Sequence, residues 1–209
     1  MLWKDFYADI ALEANKGSTL DNIIPLKTFA ALRTLEQNAS YKWNERLMVL
    51  EVDQNPENPH VLMAPGDLKS IISIKVATDS WGGDSIALEE LPPQSFSFGE
   101  RERPRGYWLQ GLKAIWFDAA LSPGAQVSLW YNSYTDRQRM NPELSHPMLE
   151  HGYSALLAYT MLNLAAYCRE PDWLESYGAL AQTAVTTLAV ADEELRRTSK
   201  SVIFGGGYE

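Results

Sequence analysis

The chain has 209 residues, 45% apolar and 22% charged, which is long enough to bury a normal core and too evenly composed for a disordered or fibrous protein. Its 18 Lys and Arg stand against 27 Asp and Glu, and the resulting formal charge of -9 excludes general binding to nucleic-acid phosphates. The single cysteine, Cys168, excludes an intrachain disulfide or a thiolate metal cluster; no apolar run reaches the roughly 18 residues needed to cross a bilayer, so a soluble protein kept in a cytoplasm is expected.

Leu2, Trp3, Phe6, Tyr7, Ile10 and Ala14 recur at spacings of three and four, which predicts an amphipathic helix ended by Lys16-Gly17-Ser18. A second helix is expected from the Asp21 to Pro25 region, through Phe29, Leu32 and Leu35, to about Asn38. Short β-branched and aromatic runs then follow at 46–52, 60–63, 70–77, 107–109, 113–117 and 126–134. Turn formers separate them: Asn55-Pro56, Pro65-Gly66-Asp67, Gly82-Gly83-Asp84, Pro92-Pro93, Gln110-Gly111 and Pro123-Gly124. Connections this short imply an antiparallel meander. The paired large residues Trp116-Phe117 and Trp130-Tyr131 suggest strands covered on both faces.

From Met148 the helical period returns, with Pro147 at its start, and one helix is expected to run to Cys168. Glu170-Pro171 breaks it, and Asp172 with Glu175 resembles a capping box for the next. That last helix carries a helix-packing seam of Leu174, Tyr177, Ala181, Ala184, Leu188, Ala191 and Leu195, suited to the preceding helix or to another subunit. Beyond it, Val202, Ile203, Phe204 and Tyr208 are apolar residues around a triple glycine, suited to an extended arm that adds to a partner. The expected class is α+β. An N-terminal helical hairpin (1–40) precedes a central antiparallel β-rich region forming a small sheet, sandwich or barrel (41–140). A C-terminal hairpin (141–198) completes a bundle with the first, and an extended tail arm (199–209) follows.

Catalytic chemistry is not legible. His146 and His151 are five residues apart across a proline, the wrong spacing for two ligands on one helix face, and Cys168 lies too far from His151 for a thiol-base pair. Triple glycine without a following helix is no phosphate loop, and the acids Glu89-Glu90 and Asp192-Glu193-Glu194 read as solvated. Arg101, Arg103 and Arg105 alternate with glutamates, a pattern of a salt-bridged loop. No catalytic, cofactor or metal residue is assigned. Seven tryptophans leave one rival reading, a carbohydrate-binding or cell-wall-acting protein using the aromatic β region and a carboxylate pair.

Several phrases resemble the head-to-tail adaptor (head-completion, connector) proteins of short-tailed bacteriophages. DNIIPLKTFAALRTLEQN followed by YKWNER is similar to the family's N-terminal hairpin and its exit into the sheet, and MAPGDLKSIISIKV to its proline turn and strand. YWLQGLKAIWF with QVSLWYNSYT resembles its aromatic meander, and the stretch from Leu156 to Arg197 its closing helix pair. The resemblance implies a virion structural protein and not an enzyme, in a ring of probably twelve copies beneath the portal protein. Such a ring extends the DNA channel, lets DNA pass without sequence-specific binding, and offers a platform to the tail nozzle or hub protein. The C-terminal arm, here Val202 to Tyr208, would reach the portal. The place implied is the head-to-tail interface of the virion, after assembly in the host cytoplasm.

Overall fold

The two ends of the chain fold together and the middle folds by itself. In a computed structural model, Met1–Trp43 and Thr135–Glu209 form one compact unit, and Asn44–Tyr134 forms another. The structure describes residues 1–53, 57–77, 84–98 and 102–204, with the backbone alone over 199–204. The predicted Asn55-Pro56 and Gly82-Gly83 turns therefore fall wholly or partly outside the described residues, as does Tyr208.

In the helical unit, α1 (Trp3–Ala14) buries the face Trp3, Phe6, Ile10 and Ala14. The Asp5 carboxylate accepts the Leu2 N–H at 2.9 Å, which satisfies one donor at the helix start. Asn15, in the left-handed region at φ 46°, ends α1. Helix α2 (Ile24–Asn38) starts with Pro25 in its first turn, where the missing N–H costs nothing, and buries Ile24, Ala31, Leu32 and Leu35. The predicted helix from Met148 is two helices, α3 (Pro147–His151) and α4 (Tyr153–Cys168), with Gly152 between them at φ -127° and ψ 19°. A Cβ at Gly152 would collide with the Met148 side chain and lie 2.9 Å from Leu188 Cδ1, so the chain bends where the next helix packs most closely. Arg169, also left-handed at φ 59°, ends α4 and turns the chain into α5 (Pro171–Phe204). Trp3, Leu32, Leu35, Leu156, Leu164 and Leu188 share one core.

One expectation needs correcting here. Helix α5 is 34 residues long and continues through Phe204, so the backbone of Val202, Ile203 and Phe204 is helical where an extended arm was expected. The reason is local: no glycine or proline intervenes between Arg196 and Phe204, and the first strong breaker is Gly205.

The second unit is one curled seven-stranded sheet. Its strands are β1 (Glu45–Glu51), β2 (Val61–Met63), β3 (Leu68–Ala77), β4 (Ser85–Glu90), β5 (Gly106–Gln110), β6 (Ala114–Phe117) and β7 (Gln126–Ser133). Their order is β1-β7-β3-β4-β5-β6-β2, which places β1 and β2 at the two edges. Pairing is antiparallel except between β4 and β5, which run parallel over Glu89–Gly106 and Glu90–Tyr107. A simple meander is thus not what forms: β7, last in the chain, inserts between β1 and β3. Inward side chains of both halves, among them Ile74, Val76, Ile115, Phe117, Val127 and Leu129, make a second core. Covering on both faces is also not general, because Trp130 is 41% exposed while its neighbour Tyr131 is buried.

Candidate assembly surfaces and a buried polar node

The seam residues of α5 divide by exposure. Ala181, Ala184 and Leu188 are buried in the helical unit, and Tyr177, Ala191 and Leu195 are half-buried. Leu174 stands 44% exposed on the outer side. Alanine at 181 and 184 lets α4 approach closely, which is the intrachain use of the seam. The Tyr177 hydroxyl donates to Glu13 Oε1 at 2.5 Å, and burial followed by that carboxylate pushes its pKa far upward.

Further along, α5 is tied down by Asp192. Its Oδ1 accepts the Lys42 N–H at 2.6 Å, and Oδ2 pairs with Arg196 Nε at 2.7 Å. Arg196 also donates to the Ser40 carbonyl at 2.7 Å. Glu193 pairs with Arg197 at 2.6 Å on the exposed side. Of the acids that sequence reading left as solvated, Asp192 is buried and anchors the helix, whereas Glu193 is exposed and pairs within α5. Past Arg197 the α5 backbone continues to Phe204, roughly two more turns.

A polar node lies inside the helical unit. Glu36, fully buried, accepts the Thr135 N–H at 3.1 Å and its hydroxyl at 2.5 Å. Thr135 Oγ1 also lies 3.2 Å from His146 Nε2, and His146 Nδ1 accepts the Met148 N–H at 3.1 Å, capping α3. Since Nδ1 accepts, the proton of the neutral ring sits on Nε2 and points at Thr135 Oγ1. Donation runs one way, from imidazole to hydroxyl to carboxylate. Burial, and secondly Arg139, hold the His146 pKa down to about 4. This node joins α2 to the segment where the chain re-enters the helical unit. Its residues lie 99 positions apart, and nothing in their local sequence marks them.

Other candidates are accounted for more simply. His151 stacks on Trp43 at 5.8 Å, and Trp43 stacks on Tyr41 at 4.8 Å. His60 Nδ1 lies 3.2 Å from the Phe117 carbonyl. Cys168 is half-buried at the end of α4. Arg105 and Gly106 donate their backbone N–H groups to Asp118 Oδ1 at 2.9 and 3.1 Å, which fixes the end of the arginine loop. Phe96, Phe98, Trp108 and Trp116 contact one another edge-on or tilted at 5.5–5.9 Å. Phe98 nevertheless remains 59% exposed. Among the described residues no group of three His, Cys, Asp or Glu is placed to hold a metal ion, and no helix is long and apolar enough to cross a membrane.

One surface was not foreseen. Leu47, Met48 and Val49 are consecutive in β1, and all three are exposed, at 71%, 38% and 57%. Leu47 and Trp130 of β7, directly opposite it, border an open groove of about 420 Å³ that Ser73, Lys75 and Ser128 also line. A strand apolar on both faces would sit naturally inside a sheet; here it forms the edge. What these parts define is an α+β protein with a helical unit made from both chain ends, an inserted sheet, a long last helix and an open apolar edge. No protein-family model matches the chain, and no curated protein matches it.

Proposed function

We propose that the protein is a virion structural subunit of the head-to-tail adaptor kind, forming a ring between the portal and the tail of a short-tailed phage. Its work is binding and geometry. The resemblance of its sequence phrases suggested this, and the observation that carries it is α5. That helix is tied to the rest of its unit at Asp192 and Arg196, and its backbone stays helical to Phe204, next to the terminal residues that the resemblance assigns to the portal. A subunit that must hold its own fold and also hand a terminal segment to a neighbour needs this division.

Ring closure in this reading uses repeated heterologous contacts between twelve identical subunits, and the central channel carries DNA. A charge of -9 per subunit disfavours retention of the passing polyanion. Val202, Ile203, Phe204 and Tyr208 are the proposed portal-binding residues, the first three on a helical backbone. Deleting Ser201 to Glu209 tests the role of this segment. Docking to the portal protein is expected to be lost while far-UV circular dichroism falls only by the last turn of α5. Retained docking would refute the assignment.

A further inference from the structure

The free edge of β1 has the wrong chemistry for a solvent boundary. Backbone N–H and C=O of one residue in a strand point the same way, and the direction alternates along the strand. Val52 donates to the Ala125 carbonyl at 2.9 Å and accepts from the Gly124 N–H at 2.9 Å, so both its groups face the β7 side. The register continues unbroken from Glu51–Gln126 to Glu45–Asn132, so Leu50 and Met48 face β7 as well. The backbone groups of Leu47, Val49 and Glu51 therefore point out of the sheet. Natural edges are usually blunted by proline, lysine, a bulge or shortness. This one is seven residues long, without a bulge against β7 and without proline, and its charges, Glu45, Arg46 and Glu51, lie at its two ends and leave Leu47 to Leu50 uncharged.

We propose that β1 is a docking edge that accepts an extended strand from a different protein. The strand must be apolar opposite Leu47 and Val49 and basic opposite Glu51 and Asp53. Backbone pairing supplies the strand requirement, and the exposed side chains of Leu47 and Val49 supply the apolar one. Charge supplies the rest, because Glu51 and Asp53 are exposed acids at outward-facing positions. The same charge argues against a second copy of β1. Outward positions can pair only with outward positions, and from 43 to 53 these are Trp43, Glu45, Leu47, Val49, Glu51 and Asp53, none of them a cation. Every two-fold pairing thus leaves Glu51 opposite an acid or an apolar side chain. This inference does not depend on the adaptor reading, since it rests only on the sheet.

Amide hydrogen exchange on the full isotope-labelled chain, read by NMR, tests it. The probe is a capped peptide of alternating valine and threonine ending in two lysines, at about 5 mM, several-fold above the ~1 mM limit of weak specific recognition. Exchange at Leu47, Val49 and Glu51 is expected to slow by about tenfold or more, with Met48 and Leu50 unchanged because they are already bonded to β7. The same peptide N-methylated on its pairing amides is expected to give no slowing. Val49→Pro removes an outward N–H without touching the ladder, so it should fold normally and lose the effect at Leu47 and Glu51. No slowing in the unsubstituted chain overturns the proposal. Equal slowing by a peptide with glutamates in place of the lysines overturns its charge requirement. Protection that appears on concentrating the protein alone would make the occupant a second copy and overturn the assignment to a different protein.

Discussion

Replacing Thr135 by valine removes one hydroxyl from the helical unit at nearly constant volume. In the native structure that hydroxyl donates to Glu36 at 2.5 Å and lies 3.2 Å from His146 Nε2. The variant deprives a fully buried carboxylate of one charge-assisted bond, of about 1.5–3 kcal/mol, and leaves an imidazole N–H buried without its acceptor, a further ~1 kcal/mol or more. The expected loss is about 3 kcal/mol. In urea, followed by far-UV circular dichroism, this corresponds to a midpoint lower by about 1–2 M at ordinary slopes. Thr135→Ser keeps the hydroxyl and gives up only a methyl group, so it should stay within about 1 kcal/mol of the parent. If valine costs less than about 0.5 kcal/mol, or if serine costs as much as valine, the node is not held together through the hydroxyl and the reasoning fails.

His146 makes the stability of the helical unit depend on pH in a defined window. Its folded pKa of about 4 lies below the ordinary value of 6.5, so the unfolded chain binds the extra proton first. The contribution is fully present above pH 6.5 and is lost as pH falls toward 4. It amounts to on the order of 3 kcal/mol, and His146→Asn, which can still cap α3, should flatten that part of the stability-pH curve. An unchanged slope in the variant would exclude His146 as its source. Gly152→Ala should destabilise by about 1–2 kcal/mol, because the new Cβ meets Met148 and Leu188 and lies 3.3 Å from the Met148 carbonyl; a denaturation midpoint equal to the parent's would show that both side chains move aside freely.

Much of the fold was legible because the helical segments carry their period in nearest neighbours. Trp3, Phe6, Ile10 and Ala14 announce α1, and Pro171 with Asp172 announces the start of α5. What escaped has non-local causes. The need for glycine at 152 comes from Met148 and from Leu188, on another helix, which leave no room for a Cβ, and a single glycine within a helical period does not by itself mark a break. Strand β4, SIALEE, is short and ends in two acids, so only its pairing with β3 reveals it. The run RLMVLEV reads as a central strand, and no sequence pattern tells that β7 lies on one side of it and that it ends the strand order among the described residues. Glu36 looked like an ordinary helix acid, because its partner Thr135 arrives only after the whole sheet has been made.

The helical end of the chain sharpened the functional reading. An extended arm was expected from 199 onward, and the backbone is helical to Phe204, so in the proposed reading Val202 to Phe204 meet a partner from a helix. The measurement that tests the adaptor account most directly is sedimentation, with imaging by electron microscopy, of the purified full chain mixed with the portal protein of its own phage. The account predicts a larger complex in which subunits form a closed ring on one face of the portal. Two species that sediment separately at every mixing ratio, with no ring on the portal in the images, would contradict it.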